Sequence, residues 1–168
     1  ASKIDYNAIK YIPKDVPKQS GIAPRWLDKH EQNRLLRAVE RGGSARDISM
    51  VKVLLNTGVR VAELCSLIWD DVLVTERKGL LTVKNGERNK RREIPLNKDA
   101  RNAFIDLGYN TQKESASHIL IGQRGDALKP RGVQFQIAKY GKMAELPGLS
   151  PHQLRHSFCK NLINAGIG

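Results

Sequence analysis

The sequence has few of the residues from which disulfide-rich, zinc-binding and membrane proteins are built. Cys65 and Cys159 are the only cysteines among 168 residues and lie far apart, which excludes a disulfide scaffold and a four-ligand zinc cluster. The longest apolar runs, residues 53–55 and 119–121, are far shorter than the roughly 20 residues that cross a bilayer. The opening residues do not resemble a signal peptide. These absences favour a cytoplasmic protein that has no membrane partner.

Acidic residues are also scarce relative to basic ones. The chain has 29 Lys and Arg against 17 Asp and Glu, which gives a formal net charge of +12. Its hydrophobic content of 40% is typical of a globular domain, so the charge does not indicate disorder. Because a strongly positive surface attracts phosphates, the expected partner is nucleic acid, with a basic protein that is merely soluble as the alternative.

Proline marks the first predicted boundary. Pro13, Pro17 and Pro24 lie in a polar segment with little apolar periodicity, so residues 1–25 are predicted to be a linker or the tail of a missing N-terminal DNA-binding domain. Residues 26–168 are predicted to be the folded domain. Its first helix is expected to begin at Asp28, where Glu31 completes a capping box, and to end at Gly42.

The spacing of apolar residues predicts helices that surround one small sheet. The predicted helices after the first cover residues 45–56, 61–67, 98–107, 130–144 and 151–164, and the predicted strands cover residues 72–74, 80–83 and 92–96. Val133, Ile137 and Met143 are expected to face the core from the helix at 130–144. The predicted fold class is therefore α+β and mainly helical, with helices around a three-stranded antiparallel sheet.

Three segments contain residues suited to phosphate chemistry. Arg60 lies at the turn between two apolar helices. It is a guanidinium offered at a pocket, a surface charge, or a group held by Glu63 three residues on. His152, Arg155 and His156 share one face at the start of the last helix, which suits an anionic group. The alternative is an ordinary polar helix face.

The third segment is a basic hairpin at residues 84–92. Five of its nine residues are basic, and on a hairpin they could follow a DNA groove or simply face solvent; they are Lys84, Arg88, Lys90, Arg91 and Arg92.

Taken together, the segments resemble the catalytic domain of the tyrosine recombinase (phage integrase) family. The matching stretches are residues 57–67 (TGVRVAELCSL) with Trp69-Asp70 behind them, residues 89–96 (NKRREIPL) and residues 150–158 (SPHQLRHSF). Their order and spacing agree with the family from about residue 25 onward.

The resemblance implies an enzyme that breaks and rejoins double-stranded DNA through a 3′-phosphotyrosyl intermediate, without metal, ATP or another cofactor. It implies that Arg60 and Arg155 grip the phosphate, that His152 assists proton transfer, and that a hairpin lysine protonates the leaving 5′-oxygen. It further implies that several copies assemble on DNA. The protein would then be associated with the nucleoid and encoded by a bacterium, a phage or another mobile element.

Two positions depart from the family pattern. Glu87 stands where the family usually has its catalytic lysine, so the acid is expected to be Lys90, with Lys84 second and Arg88 a further alternative. The family's nucleophilic tyrosine follows the HxxR helix, and no tyrosine of this chain occupies that position; the chain has Tyr6, Tyr11, Tyr109 and Tyr140. The expectation is a C-terminally incomplete catalytic domain that is inactive by itself. Two further readings remain open: a non-catalytic DNA-binding module of the same fold, which Glu87 favours, and a type IB topoisomerase.

Overall fold

The computed structural model describes residues 26–84 and 90–166, and the predicted linker at residues 1–25 lies outside the described residues. The helices are α1 (Lys29–Gly42), α2 (Ala45–Thr57), α3 (Val61–Ser66), α4 (Lys98–Asp106), α5 (Tyr109–Gln112), α6 (Pro130–Met143) and α7 (Pro151–Asn164). A 3-10 turn (Trp69–Asp71) leads into the strands β1 (Val72–Val74), β2 (Gly79–Val83) and β3 (Arg92–Pro95). The predicted fold class is confirmed.

Local capping signals set the ends of the first helix where the sequence predicted them. The Asp28 carboxylate accepts from the Glu31 N–H at 2.8 Å, and the Glu31 carboxylate accepts from the Asp28 N–H at 3.0 Å. The helix ends at Gly42, and the Gly43 N–H donates to the carbonyl of Val39. Because these bonds involve residues close in sequence, they can be predicted without tertiary information.

The sheet has the order β1-β2-β3 and both pairings are antiparallel. Leu81 in the central strand lies opposite Val72 on one side and Ile94 on the other, and all three side chains are buried. One face of the sheet therefore closes the core, and the β2–β3 connection projects from the end of the sheet.

Helix α2 lies at the centre of the helical part and packs against α4 and α7. Its central residues are apolar on more than one face, which is the pattern of a helix surrounded by others. The buried apolar members are Met50, Val51, Val53, Leu54 and Leu55. The C-terminal end of α2 leads directly into the turn that contains Arg60, so a rigid core element fixes that turn.

One predicted core residue of α6 is in fact exposed. Val133 and Ile137 are fully buried as predicted, whereas Met143 is 48% exposed. The last turn of α6 still contributes Tyr140 and Gly141 to the core, but Met143 lies outside this buried face. Its side chain lies over Gly42, where a β-carbon would be 2.5 Å from Met143 Cε. The prediction for Met143 was wrong because the methionine covers the end of α1 instead of entering the core.

Over the residues that the structure describes, no helix is long and apolar enough to cross a membrane, and no group of three or more His, Cys, Asp or Glu could hold a metal ion. Cys65 and Cys159 are both free thiols.

Candidate active site

The turn before α3 presents Arg60, and Gly58 determines its shape. Gly58 has a φ of +67°, a left-handed conformation that other residues rarely adopt. A β-carbon at this position would also lie 2.3 Å from Cδ1 of Phe158 in α7. Glycine is thus required both by the backbone and by the close approach of α7. This contact holds the start of α3 beside the helix that carries Arg155.

Arg60 is the residue that caps α3, and its backbone is held by Glu63. The Arg60 N–H donates to Glu63 Oε1 at 2.8 Å. The sequence suggested Glu63 as a partner for Arg60, and in the structure the Glu63 carboxylate binds the Arg60 backbone N–H. The half-buried Arg60 is one of the residues that line the pocket described below.

Glu63 also forms a buried ion pair with Arg92 of strand β3. Arg92 Nη1 lies 2.5 Å from Oε2 and Nη2 lies 2.8 Å from Oε1, and the two side chains are 7% and 4% exposed. Burial by itself raises the pKa of Glu63, but the hydrogen bonds from Arg92 and from the Arg60 N–H, together with the charges of Arg92 and Arg155, hold that pKa below its ordinary value of 4.5. Glu63 is therefore ionised at neutral pH.

Arg92 requires a correction to its predicted role as a DNA-binding residue. Its guanidinium is buried against Glu63, so it cannot reach a phosphate while this pair is intact. A signal was present in the sequence: Arg92 is two residues before the buried Ile94, and alternate residues of a strand face the same side. Arg92 joins β3 to α3.

Helix α7 carries the second half of the site. Its first turn is capped by Gln153, whose Oε1 accepts from the N–H and hydroxyl of Ser150 at 2.8 and 2.5 Å. The Ser157 hydroxyl donates to the Gln153 carbonyl and accepts from the Leu27 N–H at 2.8 Å, which joins α7 to the segment before α1. These bonds fix the orientation of the helix start.

On this helix, His152 is exposed whereas Arg155 is only 3% exposed. The predicted common face includes the half-buried His156, whose ring meets that of His152 edge-on at 5.6 Å between centroids. The helix start thus offers an accessible imidazole beside a buried guanidinium.

Arg60, His152 and Arg155 line one open pocket of about 420 Å³. Its remaining lining residues are Val59, Val61, Ala62, Gln134, Ser150 and Pro151. The structure therefore brings together the two arginines and the histidine that the separate sequence segments predicted. Gln134 was not predicted, because a single glutamine on a helix gives no signal in the sequence. Two guanidiniums, an imidazole and the N-terminus of α7 suit a phosphate oxygen with developing negative charge.

The basic residues of the hairpin differ in their exposure and contacts. Lys90 and Arg91 are exposed before β3, while Lys84 lies 2.9 Å from Asp71. Arg88 and Glu87 lie outside the described residues. Of the hairpin residues that are described, none lines the 420 Å³ pocket, so the choice of Lys90 as the acid stays a prediction.

Both tyrosines in the described ranges are packing residues. The Tyr140 hydroxyl donates to Asp47 Oδ2 at 2.5 Å, and burial together with this bond raises the pKa of Tyr140 to about 12. Tyr109 is buried with its ring 6.4 Å from that of Trp69. Neither hydroxyl lines the pocket. Tyr6 and Tyr11 lie outside the described residues.

The comparisons with known sequences identify the same family. The sequence model of the phage integrase family matches residues 25–168. The chain is 31% identical to tyrosine recombinase XerA of Thermococcus kodakarensis over 170 residues, which cover 98% of this chain and 56% of that protein. It is 34% identical to tyrosine recombinase XerC of Pseudomonas aeruginosa over 156 residues, which cover 89% of this chain and 50% of that protein. The chain spans about half the length of the curated relatives it matches.

Solved structures agree with this result. The crystal structure of XerA recombinase superposes with a TM-score of 0.71 at 28% identity, over 86% of this chain and 52% of that one. The Tn1549 transposon integrase in complex with transposon right end DNA gives a TM-score of 0.72 at 21% identity, over 97% and 64% of the two chains, which shows a shared fold.

Proposed function

Since the chain belongs to the phage integrase family of tyrosine recombinases, we propose that it is the part of a site-specific DNA recombinase that binds and activates the scissile phosphodiester. The observation that carries this proposal is the shared pocket of Arg60, His152 and Arg155, which come from segments more than ninety residues apart in the sequence.

The chemistry of these side chains supports the proposal. Attack on a phosphodiester concentrates negative charge on the two nonbridging oxygens, and two fixed guanidiniums can bind those oxygens with paired hydrogen bonds. Arg155 is buried and the backbone at Arg60 is bonded to Glu63, so the helix starts that present both arginines are fixed before DNA arrives. His152 is accessible and supplies a hydrogen bond or a proton to the phosphate.

The partner in this proposal is double-stranded DNA. The net charge of +12 and the exposed Lys90 and Arg91 favour contacts with phosphates. The solved structure of the Tn1549 transposon integrase is a complex with transposon right end DNA. Assembly of several copies on one DNA and a location with the chromosome in the cytoplasm form part of the same proposal.

The proposal also covers the nucleophile. Tyr109 and Tyr140 are buried away from the pocket, and the raised pKa of Tyr140 opposes formation of its phenolate. A phosphate held by Arg60 and Arg155 then has no tyrosine within reach among the described residues. We therefore expect the 168-residue chain alone to bind DNA without forming a covalent link to it.

The test is the covalent adduct. The chain is compared with a "joined chain", in which the segment that follows the matched region in XerA of Thermococcus kodakarensis is fused to its C-terminus. The substrate is a nicked duplex whose sequence is selected from a random library by binding to this chain. A denaturing gel should show a protein–DNA adduct for the joined chain and none for the 168 residues alone. An adduct on the chain alone, mapped to Tyr140 or another internal tyrosine, would contradict the proposed site.

A second function is favoured by one observation. Glu87 stands where the family usually has its catalytic lysine, which suits a DNA-binding module that has lost cleavage. If this second function is correct, the joined chain binds the same duplex but forms no covalent adduct. The adduct is then absent even with a substrate whose leaving group requires no protonation.

A further inference from the structure

Two ion pairs connect the two strands of the basic hairpin to the segment that follows Arg60. On the β3 side, Arg92 binds Glu63 in α3. On the β2 side, Lys84 follows the last residue of the strand, and its ammonium lies 2.9 Å from Oδ1 of Asp71 at the end of the 3-10 turn. Val83, next to Lys84, pairs with Arg92 in the sheet. The two ion pairs are therefore neighbours.

In the Lys84–Asp71 pair, the lysine side chain is partly exposed to solvent and the aspartate side chain is buried. The Lys84 side chain is 45% exposed, whereas that of Asp71 is 6% exposed and its Oδ1 atom has less than 1 Å² of accessible surface. The contact lacks the alignment of a hydrogen bond, so the attraction is mainly between charges. The other oxygen, Oδ2, accepts from the Ile68 N–H at 3.0 Å. The Lys84 ammonium is therefore the positive charge in contact with this buried oxygen.

No second cation is placed to neutralise Asp71 in the described part of the chain. A small cavity of about 140 Å³ is lined by both Asp71 and Glu63, but Arg92 already binds both carboxylate oxygens of Glu63. If Lys84 moved to a DNA phosphate, the buried carboxylate of Asp71 would be left without a counter-charge. Leaving a buried charge unpaired is strongly unfavourable.

We propose that Asp71 withholds Lys84 from DNA, so that the first basic residue of the hairpin does not contact a phosphate in the wild-type protein. Because Arg92 is already buried against Glu63, the hairpin then offers DNA two cations fewer than its sequence indicates, and the Asp71 carboxylate limits DNA affinity. The inference takes duplex DNA as the ligand and rests on the proposed function to that extent.

The experiment measures the affinity of the 168-residue chain for a short fluorescent duplex between about 50 and 200 mM salt. Asp71→Asn keeps an oxygen for the Ile68 N–H but removes the charge that holds Lys84. Asp70→Asn is the matched control, because it changes the net charge equally at an exposed neighbour. Relative to this control, Asp71→Asn should bind roughly tenfold more tightly at the lowest salt, with a salt slope steeper by about 0.9, the value for one extra phosphate contact.

Substitution of Lys84, the other member of the ion pair, tests the same inference. Lys84→Gln should bind DNA as the wild type does, and Asp71→Asn with Lys84→Gln should lose the gain of Asp71→Asn. A loss of affinity in Lys84→Gln, with a salt slope shallower by about one contact, would overturn the inference.

Other outcomes are equally decisive. Equal affinities of Asp71→Asn and Asp70→Asn would also overturn it. If Asp71→Asn does not fold, as judged by circular dichroism, the Lys84→Gln comparison alone decides. A wild-type chain that does not bind DNA at low salt would contradict the proposed function itself, which separates the two failures.

Discussion

Glu63 and Arg92, 29 residues apart, form a buried ion pair whose carboxylate also accepts the backbone N–H of Arg60. One ionised side chain therefore joins strand β3 to the turn that presents an arginine at the pocket. Loss of this carboxylate affects the stability of the fold and the position of Arg60 at the same time.

Glu63→Gln is expected to destabilise the protein. The substitution keeps the shape of the side chain but leaves the Arg92 guanidinium buried without a counter-charge, which costs roughly 3 kcal/mol in the free energy of unfolding. Denaturant unfolding followed by circular dichroism measures this value. Glu76→Gln, at an exposed turn, is the control and should change stability by less than about 0.5 kcal/mol. Equal effects of the two variants would show that the buried pair contributes nothing specific.

The contribution of Glu63 should also depend on pH. Its pKa in the folded protein is below the ordinary value of 4.5, so the folded state favours the ionised form. The stability difference between wild type and Glu63→Gln should be fully present above pH 4.5 and should decrease as the pH falls through the folded-state pKa. Unfolding curves at a series of acidic pH values test this, and a difference that grows on acidification would be contrary to it.

The chain should bind duplex DNA mainly through phosphates. If about 5 phosphates are neutralised, the logarithm of the binding constant should fall with the logarithm of salt concentration at a slope of about −4 to −5. Fluorescence anisotropy over a range of salt concentrations measures this slope. An affinity that does not depend on salt would rule out this mode of binding.

Lys90 is expected to be the general acid, ahead of Lys84, which is paired with Asp71. In the joined chain, Lys90→Ala should slow cleavage of ordinary DNA but not of a substrate with a 5′-thio leaving group, which requires no protonation. Lys78→Ala, in the exposed β1–β2 turn, is the control. If the thio substrate rescues Lys84→Ala alone, the assignment of the two lysines is reversed.

The sequence was most informative where the signals are local. The Asp28–Glu31 capping box and the end of α1 at Gly42 depend on neighbouring residues, and both were found as predicted. Met143 was misassigned because it is apolar, although it lies outside the buried face of α6 that Val133, Ile137 and Tyr140 form at helical spacing. Apolar character alone therefore does not place a residue in the core.

For the site, the family motifs identified Arg60, His152 and Arg155 as residues of one pocket. Side-chain pairs between distant segments were not foreseen. The burial of Arg92 against Glu63 and the contact of Lys84 with Asp71 depend on how the sheet packs beside α3, and a run of basic residues in the sequence resembles a solvated surface. Charge counts alone therefore overstate the cations available to DNA.

The most direct test of the central claim, that Arg60 and Arg155 bind the scissile phosphate as planar two-pronged donors, compares cleavage with binding for Arg155→Lys in the joined chain. A lysine keeps the charge but cannot reproduce the paired hydrogen bonds of a guanidinium. Cleavage in a single turnover should fall by about two orders of magnitude or more, while the affinity for the same duplex stays close to wild type. Arg77→Lys, at an exposed turn, should change neither quantity. Equal losses of cleavage and binding in Arg155→Lys, or no loss of cleavage, would contradict the claim.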